Sequence, residues 1–217
     1  MSPRKPSFQS CEAAIKILND ILKCRNMPAF IAATVSPRRH KILEQLGVTF
    51  TVFQPTGPEI HYADDPVHTV STNARAKHAE CAEQFPEAWI LSADTVVECD
   101  GRCIGKPADS DDARRMLIHF SGRTQQVFTA VAMSKPVHTP DLRIVAASVR
   151  FKTYEADCVD AYLAKANTLD RAGAYDIATH SEMLIASHTG SFSNIMGLPA
   201  ETVSDWLRAH AYPFKRN

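Results

Sequence analysis

The chain has 217 residues, enough for one large domain or two closely joined lobes around a substantial core. Its 24 Lys and Arg balance 24 Asp and Glu, and its 45% hydrophobic and 22% charged residues are ordinary for a globular protein in water. That balance argues against a nucleic-acid scaffold, which carries a basic excess, but leaves local positive clusters open.

No apolar stretch approaches the ~20 residues that span a bilayer. The N-terminus lacks an apolar signal core followed by a small-residue cleavage site. The six cysteines (Cys11, Cys24, Cys81, Cys99, Cys103 and Cys158) contain no C-x-x-C pair. They are expected to be reduced, structural thiols of a cytoplasmic protein.

Residues 1 to 10 are polar with two prolines and read as a loose arm. Residues 11 to 24, "CEAAIKILNDILKC", put Ile15, Leu18, Ile21 and Leu22 on one helical face, suited to packing on the domain or docking a partner. Glu12 and Asp20 disfavour a mitochondrial targeting role. The expected organisation is an extension over 1–28, one main domain over 29–211 and a tail over 212–217.

"AFIAAT" reads as a buried strand, and residues 37 to 46 as a helix opened by Pro37 and closed by Gly47. "VTFTVFQ" alternates like a strand, and a polar loop holding Glu59 leads to a helix over about 66 to 85. "AWILSADTVVECDGRCIG" is a strand, an Asp-Gly turn and a return strand. Cys99 and Cys103 flank that turn and are placed to face each other, but a zinc site there lacks two further ligands.

"SDDARRMLIHFSG" is a helix with an acidic start and a Gly stop. Residues 124 to 134 and 142 to 153 form two long antiparallel strands, followed by a helix over 155 to 166. After the loop "ANTLDRAGAYD" come a strand "EMLIAS", a Gly/Ser-rich loop "HTGSFSNIMGLP" and a last helix "AETVSDWLRAHA". Strands alternating with helices, plus one long hairpin, define an α/β domain on a mixed sheet.

Polar residues at strand ends and helix starts are where α/β folds place their sites. The first strand stops at Thr34 and a helix begins at once, so its unpaired N–H groups favour an anion. Ser36 adds a hydroxyl, and Arg38 and Arg39 add cations that the helix dipole alone would repel. Phosphate binding therefore ranks slightly ahead of a plain Ser-capped helix.

Arg75 and Lys77 lie on an Ala-rich helix whose default reading is a solvated face. Asp94 follows a run that should be buried, so it needs a hydrogen-bonding partner or a metal; Thr95 beside it is a neutral hydrogen-bonding group. Lys106 sits in a rigid Gly-Lys-Pro corner, able to approach a phosphate, and Glu59 is by default an exposed loop acid.

In this order "SPRR", "ARAK", "ADTVV", "GKP", "DRAGAY" and "GSFSNIMGLP" resemble the Maf family, the septum-formation-type nucleotide pyrophosphatases, over residues 29 to 209. The resemblance implies a two-lobed mixed β-sheet with flanking helices, related to inosine triphosphate pyrophosphatases, with an active-site cleft between the lobes. It implies hydrolysis of a nucleoside triphosphate to monophosphate and pyrophosphate, assisted by Mg²⁺ or Mn²⁺, in a cytoplasmic enzyme that forms a homodimer. Asp94 falls on the family's general base, and Arg38 and Thr95 on positions linked with substrate choice. Lys77, Lys106 and Glu59 fall on further polar positions of the catalytic site, and Ser36, Arg39 and Thr34 on the substrate-binding corner. Asp94 and Glu59 are the expected metal ligands, since hard divalent ions prefer oxygen.

"ADTVV" looks like the branch acting on dTTP and UTP rather than the Ser-Asp-Gln branch acting on 7-methyl-GTP. The chain departs from the pattern at Ala178, where Gln is usual, at Thr34 for Ser, at Gln125 or Gln126 for His, and at Ala130 for Gly. Loss of the Gln predicts relaxed or shifted discrimination among bases. The alternative is a catalytically weak nucleotide-binding regulator of cell division; a nucleic-acid-binding module is disfavoured by the neutral composition.

Overall fold

A computed structural model describes residues 28–166 and 168–214. The expected arm and helix over 1 to 24, with Cys11 and Cys24, lie outside the described residues. Among the latter, strands β1 (Phe30–Ala33), β2 (Thr51–Val52), β3 (Trp89–Cys99), β4 (Arg102–Ile104), β5 (Thr124–Ser134), β6 (Asp141–Phe151) and β7 (Ile185–Thr189) make one mixed sheet. Its order is β2-β1-β3-β5-β6-β7, with β4 paired on β3; β2, β1 and β3 are parallel and the other pairings antiparallel. The helices are α1 (Pro37–Gln45), α2 (Pro66–Gln84), α3 (Ser110–Phe120), α4 (Ala156–Leu163), α5 (Phe192–Ile195) and α6 (Ala200–Ala209).

β3 explains the site. On one edge its first half pairs with β1 through Trp89–Ser92, and its last residues, Val97–Cys99, pair with β4. Residues 93 to 96 have no strand on that edge, while β5 runs unbroken along the other. The strand alternates between faces. Ile90, Ser92, Asp94 and Val96 look toward α2: Ser92 Oγ donates to Ala74 O at 2.7 Å, and Val96 packs with Val70 and Ala74. On the other face Leu91 and Ala93 pack in a cluster that includes Ile42 and Leu43 of α1 and Val203 and Leu207 of α6. Val97 and Cys99 belong to a separate cluster with Leu117 and Phe120 of α3 and Val159 of α4. Thr95 lies between the two clusters. These clusters are the two lobes, and the break in the sheet edge is the cleft between them.

Local chemistry accounts for most element ends. Asp65 and Asp109 cap α2 and α3, each carboxylate accepting an N–H three residues on, at 2.8 and 2.7 Å. Gly47, at φ 76°, follows α1 in the left-handed region that closes helices. Three expectations need correcting. The expected strand from Glu182 begins only at Ile185, after a 3₁₀ turn over Ser181–Met183, because Leu184 is buried and its carbonyl accepts from Lys152 N at 2.8 Å. Within the Gly/Ser-rich loop Ser191 caps Asn194 N at 3.1 Å and starts the short helix α5. Cys99 pairs across the hairpin with Arg102, and Cys103 with Glu98, so the two thiols occupy opposite faces. Burial pushes the Cys99 thiol up to about 11. All four described cysteines are free.

Candidate active site

A cavity of about 560 Å³ opens at the break in the sheet edge. Its walls carry the nine residues expected to form the site: Thr34, Ser36, Arg38, Arg39, Glu59, Lys77, Asp94, Thr95 and Lys106. Arg75 stays exposed on α2 and is not part of the lining.

The corner from β1 to α1 separates the two arginines by task. Arg39 folds back into the gap. Its Nε donates to Gly197 O at 2.7 Å, Nη1 to Ala93 O at 2.9 Å and Thr34 Oγ1 at 3.3 Å, and Nη2 to Thr95 Oγ1 at 2.9 Å. Each acceptor is neutral. Burial lowers the Arg39 pKa and the charge of Asp94 works the other way, but the guanidinium remains a cation. Thr34, which also accepts from Ser36 N at 3.3 Å, is committed to this internal network.

Arg38 points into the cavity, and among the described residues no carboxylate lies within 4.0 Å of it. Its pKa is lowered, first by burial and then by Arg171. Ser36 makes no side-chain cap on α1, so its hydroxyl and the first-turn amides remain available to an anion.

Facing the corner, Asp94 and Glu59 share one ammonium. Lys77 Nζ donates to Asp94 Oδ1 at 2.7 Å and to Glu59 Oε1 at 2.6 Å, with the Lys77 and Asp94 side chains only 14% and 10% exposed. Asn73 Nδ2 donates to Asp94 Oδ2 at 3.0 Å. Burial opposes ionisation of Glu59, yet the Lys77 hydrogen bond and charge, with Lys106 and Arg39 adding to it, hold its carboxyl below the ordinary value. Glu59 Oε2 bonds none of the described residues, and its side chain is 59% exposed. Two carboxylates on one wall, one with an open oxygen, are the hard oxygen donors that a divalent cation would take. Among the described residues one trio of possible ligands, Cys99, Asp100 and His119, lies off the lining, and its Asp100 already accepts from Arg123 at 2.9 Å.

The far wall comes from Lys106 and the segment 170–177. Gly173 N donates to Gly105 O at 3.0 Å, tying the Lys106 corner to the turn Ala172–Ala174. Arg171 Nη2 meets Asp176 Oδ2 at 3.0 Å, and Asp176 N donates to Tyr162 Oη at 2.8 Å. Tyr175 and Ile177 line the cavity, but Ala178 is exposed and outside the lining. Of the two glutamines, Gln126 Oε1 accepts from Ser148 Oγ at 2.8 Å. Gln125 is fully buried with neither amide atom paired among the described residues.

Asn73, Arg171, Tyr175, Thr129 and Gly197 were missed as individual residues. Asn73 had a signal, four positions before Lys77 and so on the same helix face. Thr129, whose hydroxyl lies 3.0 Å from that of Thr95, comes from the neighbouring strand, and Gly197 from a loop more than a hundred residues downstream. Neither contact follows from sequence spacing.

The fold is similar to that of a Ham1 protein. The Ham1 protein of Staphylococcus aureus superposes with a TM-score of 0.52, covering 84% of this chain and 99% of that one at 11% identity. The likeness shows the fold class, a mixed α/β sheet with flanking helices. The sequence model of the Maf-like proteins matches residues 29–210, and the chain belongs to the Maf family. Proteins named dTTP/UTP pyrophosphatase are similar throughout that region. The one from Akkermansia muciniphila is 34% identical, covering 86% of this chain and 98% of its own. Those from Symbiobacterium thermophilum and Xanthomonas axonopodis pv. citri are 37% and 39% identical, covering 86% and 82% of this chain and 96% of each relative.

Proposed function

We propose that this protein hydrolyses a nucleoside triphosphate to the monophosphate and pyrophosphate, with dTTP, UTP or modified pyrimidine nucleotides as substrates. The observation that carries the reading is the chain of ion pairs from buried Asp94 through Lys77 to the more exposed Glu59, on the wall of one cavity that Arg38 and Lys106 also line. Ser36, the α1 amides and Arg38 hold the phosphates, while Arg39 fixes Thr95 and the Gly197 loop. Asp94 takes a proton as water attacks phosphorus; the new P–O bond forms as the bridging P–O bond breaks and pyrophosphate leaves. Lys106 and Arg38 balance charge on the phosphoryl oxygens. Asp94 and Glu59 are the residues that would hold Mg²⁺ or Mn²⁺, which supplies Lewis-acid charge stabilisation when bound. Lys77 keeps the two carboxylates apart and oriented.

The same reading takes over a cytoplasmic setting and a homodimer from the family likeness; light scattering on the purified chain checks the dimer. Pyrophosphate release with Mg²⁺ over a nucleotide panel tests the activity. Asp94→Asn is expected to lower turnover by at least ~10³-fold. No release from any nucleotide by the wild type would instead favour a nucleotide-binding regulator. Ala178→Gln tests base discrimination: the added side chain must reach in from the rim, and unchanged rate ratios for dTTP, UTP and CTP would remove Ala178 from the account of specificity.

A further inference from the structure

The segment 53–65 carries Glu59 but forms no helix or strand of its own. It is fastened instead to one stripe of α2, at Thr69, Asn73, Lys77 and Glu80, spaced to lie on one helix face. Thr69 Oγ1 accepts from Tyr62 N at 3.1 Å. Asn73 Oδ1 accepts from Ile60 N at 2.8 Å, and Asn73 Nδ2 donates to Ile60 O at 2.9 Å. Lys77 holds Glu59 itself at 2.6 Å. On the other side of Glu59, Phe53 N donates to Ala32 O at 2.9 Å, and between Phe53 and Glu59 the fastening to α2 is Glu80. Its carboxylate accepts from Thr56 N at 2.8 and 3.1 Å, from Thr56 Oγ1 at 2.7 Å and from Gly57 N at 3.2 Å.

We propose that Glu80 is a positioning residue for the reaction, acting through the loop at Thr56 and Gly57 to keep Glu59 on Lys77; this rests on the function proposed above. Glu59 is largely exposed, and an exposed ion pair is a weak tether for an irregular loop. The Ile60 clamp fixes the segment only after Glu59 and Phe53 fixes it only at its start, so without Glu80 residues 54–58 lose their tie to α2. A carboxylate with three charge-assisted donors is the strong anchor there, and an amide would turn an NH₂ toward those donors. The fold does not need it: α2 is held through Val70, Ala74 and Cys81, all fully buried.

The test uses the full chain with Glu80→Ala and Glu80→Gln, each alone and combined with Glu59→Gln. Amide hydrogen exchange is followed by NMR, and pyrophosphate release under steady-state conditions. Glu80→Ala is expected to speed exchange at Thr56 and Gly57 at least tenfold with the urea midpoint unchanged. It should lower kcat about tenfold with KM within twofold, and Glu80→Gln should fall between. On the Glu59→Gln background the same change should cost less than twofold. Unchanged exchange, or an equal loss in both backgrounds, overturns the proposal. A wild type inactive on every nucleotide refutes the function instead, while exchange still judges the clamp.

Discussion

Arg39→Lys separates the geometry of the guanidinium from its charge. Three nitrogens in one plane reach Gly197 O, Ala93 O, Thr34 Oγ1 and Thr95 Oγ1 at 2.7, 2.9, 3.3 and 2.9 Å. An ammonium presents one nitrogen and reaches at best two of these acceptors. Losing two bonds from a charged donor at ~1.5–2 kcal/mol each gives a loss of ~3–4 kcal/mol. Urea unfolding reads it as a lower midpoint at constant slope. Turnover should fall by ~10² or more, since Thr95 and the Gly197 loop lose their shared anchor. A stability loss below ~1 kcal/mol with wild-type turnover would show that charge alone suffices and refute the bonding scheme.

Two further perturbations address groups away from the cavity. Burial lowers His78, whose Nε2 lies 2.9 Å from Ser134 Oγ, to about 4 from an ordinary 6.5. Its contribution to stability is therefore whole above pH 6.5 and is lost as pH falls toward 4, amounting to ~2 kcal/mol by pH 5 at 1.36 kcal/mol per unit. His78→Gln should flatten the urea-midpoint profile between pH 7 and 5; an equally steep profile would assign the loss to other groups. Gln125→Met removes two buried, unpaired amide atoms at similar length and is expected to raise stability by ~1–2 kcal/mol, with a fall in the midpoint counting against it.

Much of this molecule was legible in its sequence because its elements obey local rules. Pro37 and Gly47 bound α1, Asp109 caps α3, and the Asp100-Gly101 turn joins β3 to β4. Asp94 stood out as a carboxylate in an apolar run, and it proves to be bonded on both oxygens. The division of labour between Arg38 and Arg39 was not legible, because it depends on which of two adjacent side chains meets a gap between strands. The apposition of Thr95, Thr129 and Gly197 likewise comes from sheet register and a distant loop. Ala178 looked like the seat of specificity, but Tyr175 and Ile177, rather than Ala178, line the cavity.

The open edge of β3 has a further consequence. Main-chain groups left without a neighbouring strand are a template for pairing with another polypeptide. Within residues 93 to 96 the carbonyl of Ala93 is taken up by the Arg39 side chain, which donates to it at 2.9 Å. The cation that orders the cavity thus also shields the sheet from self-association. Variants that empty the gap are expected to precipitate from cells and not simply to lose turnover, so the yield of soluble protein becomes a readout of the cleft.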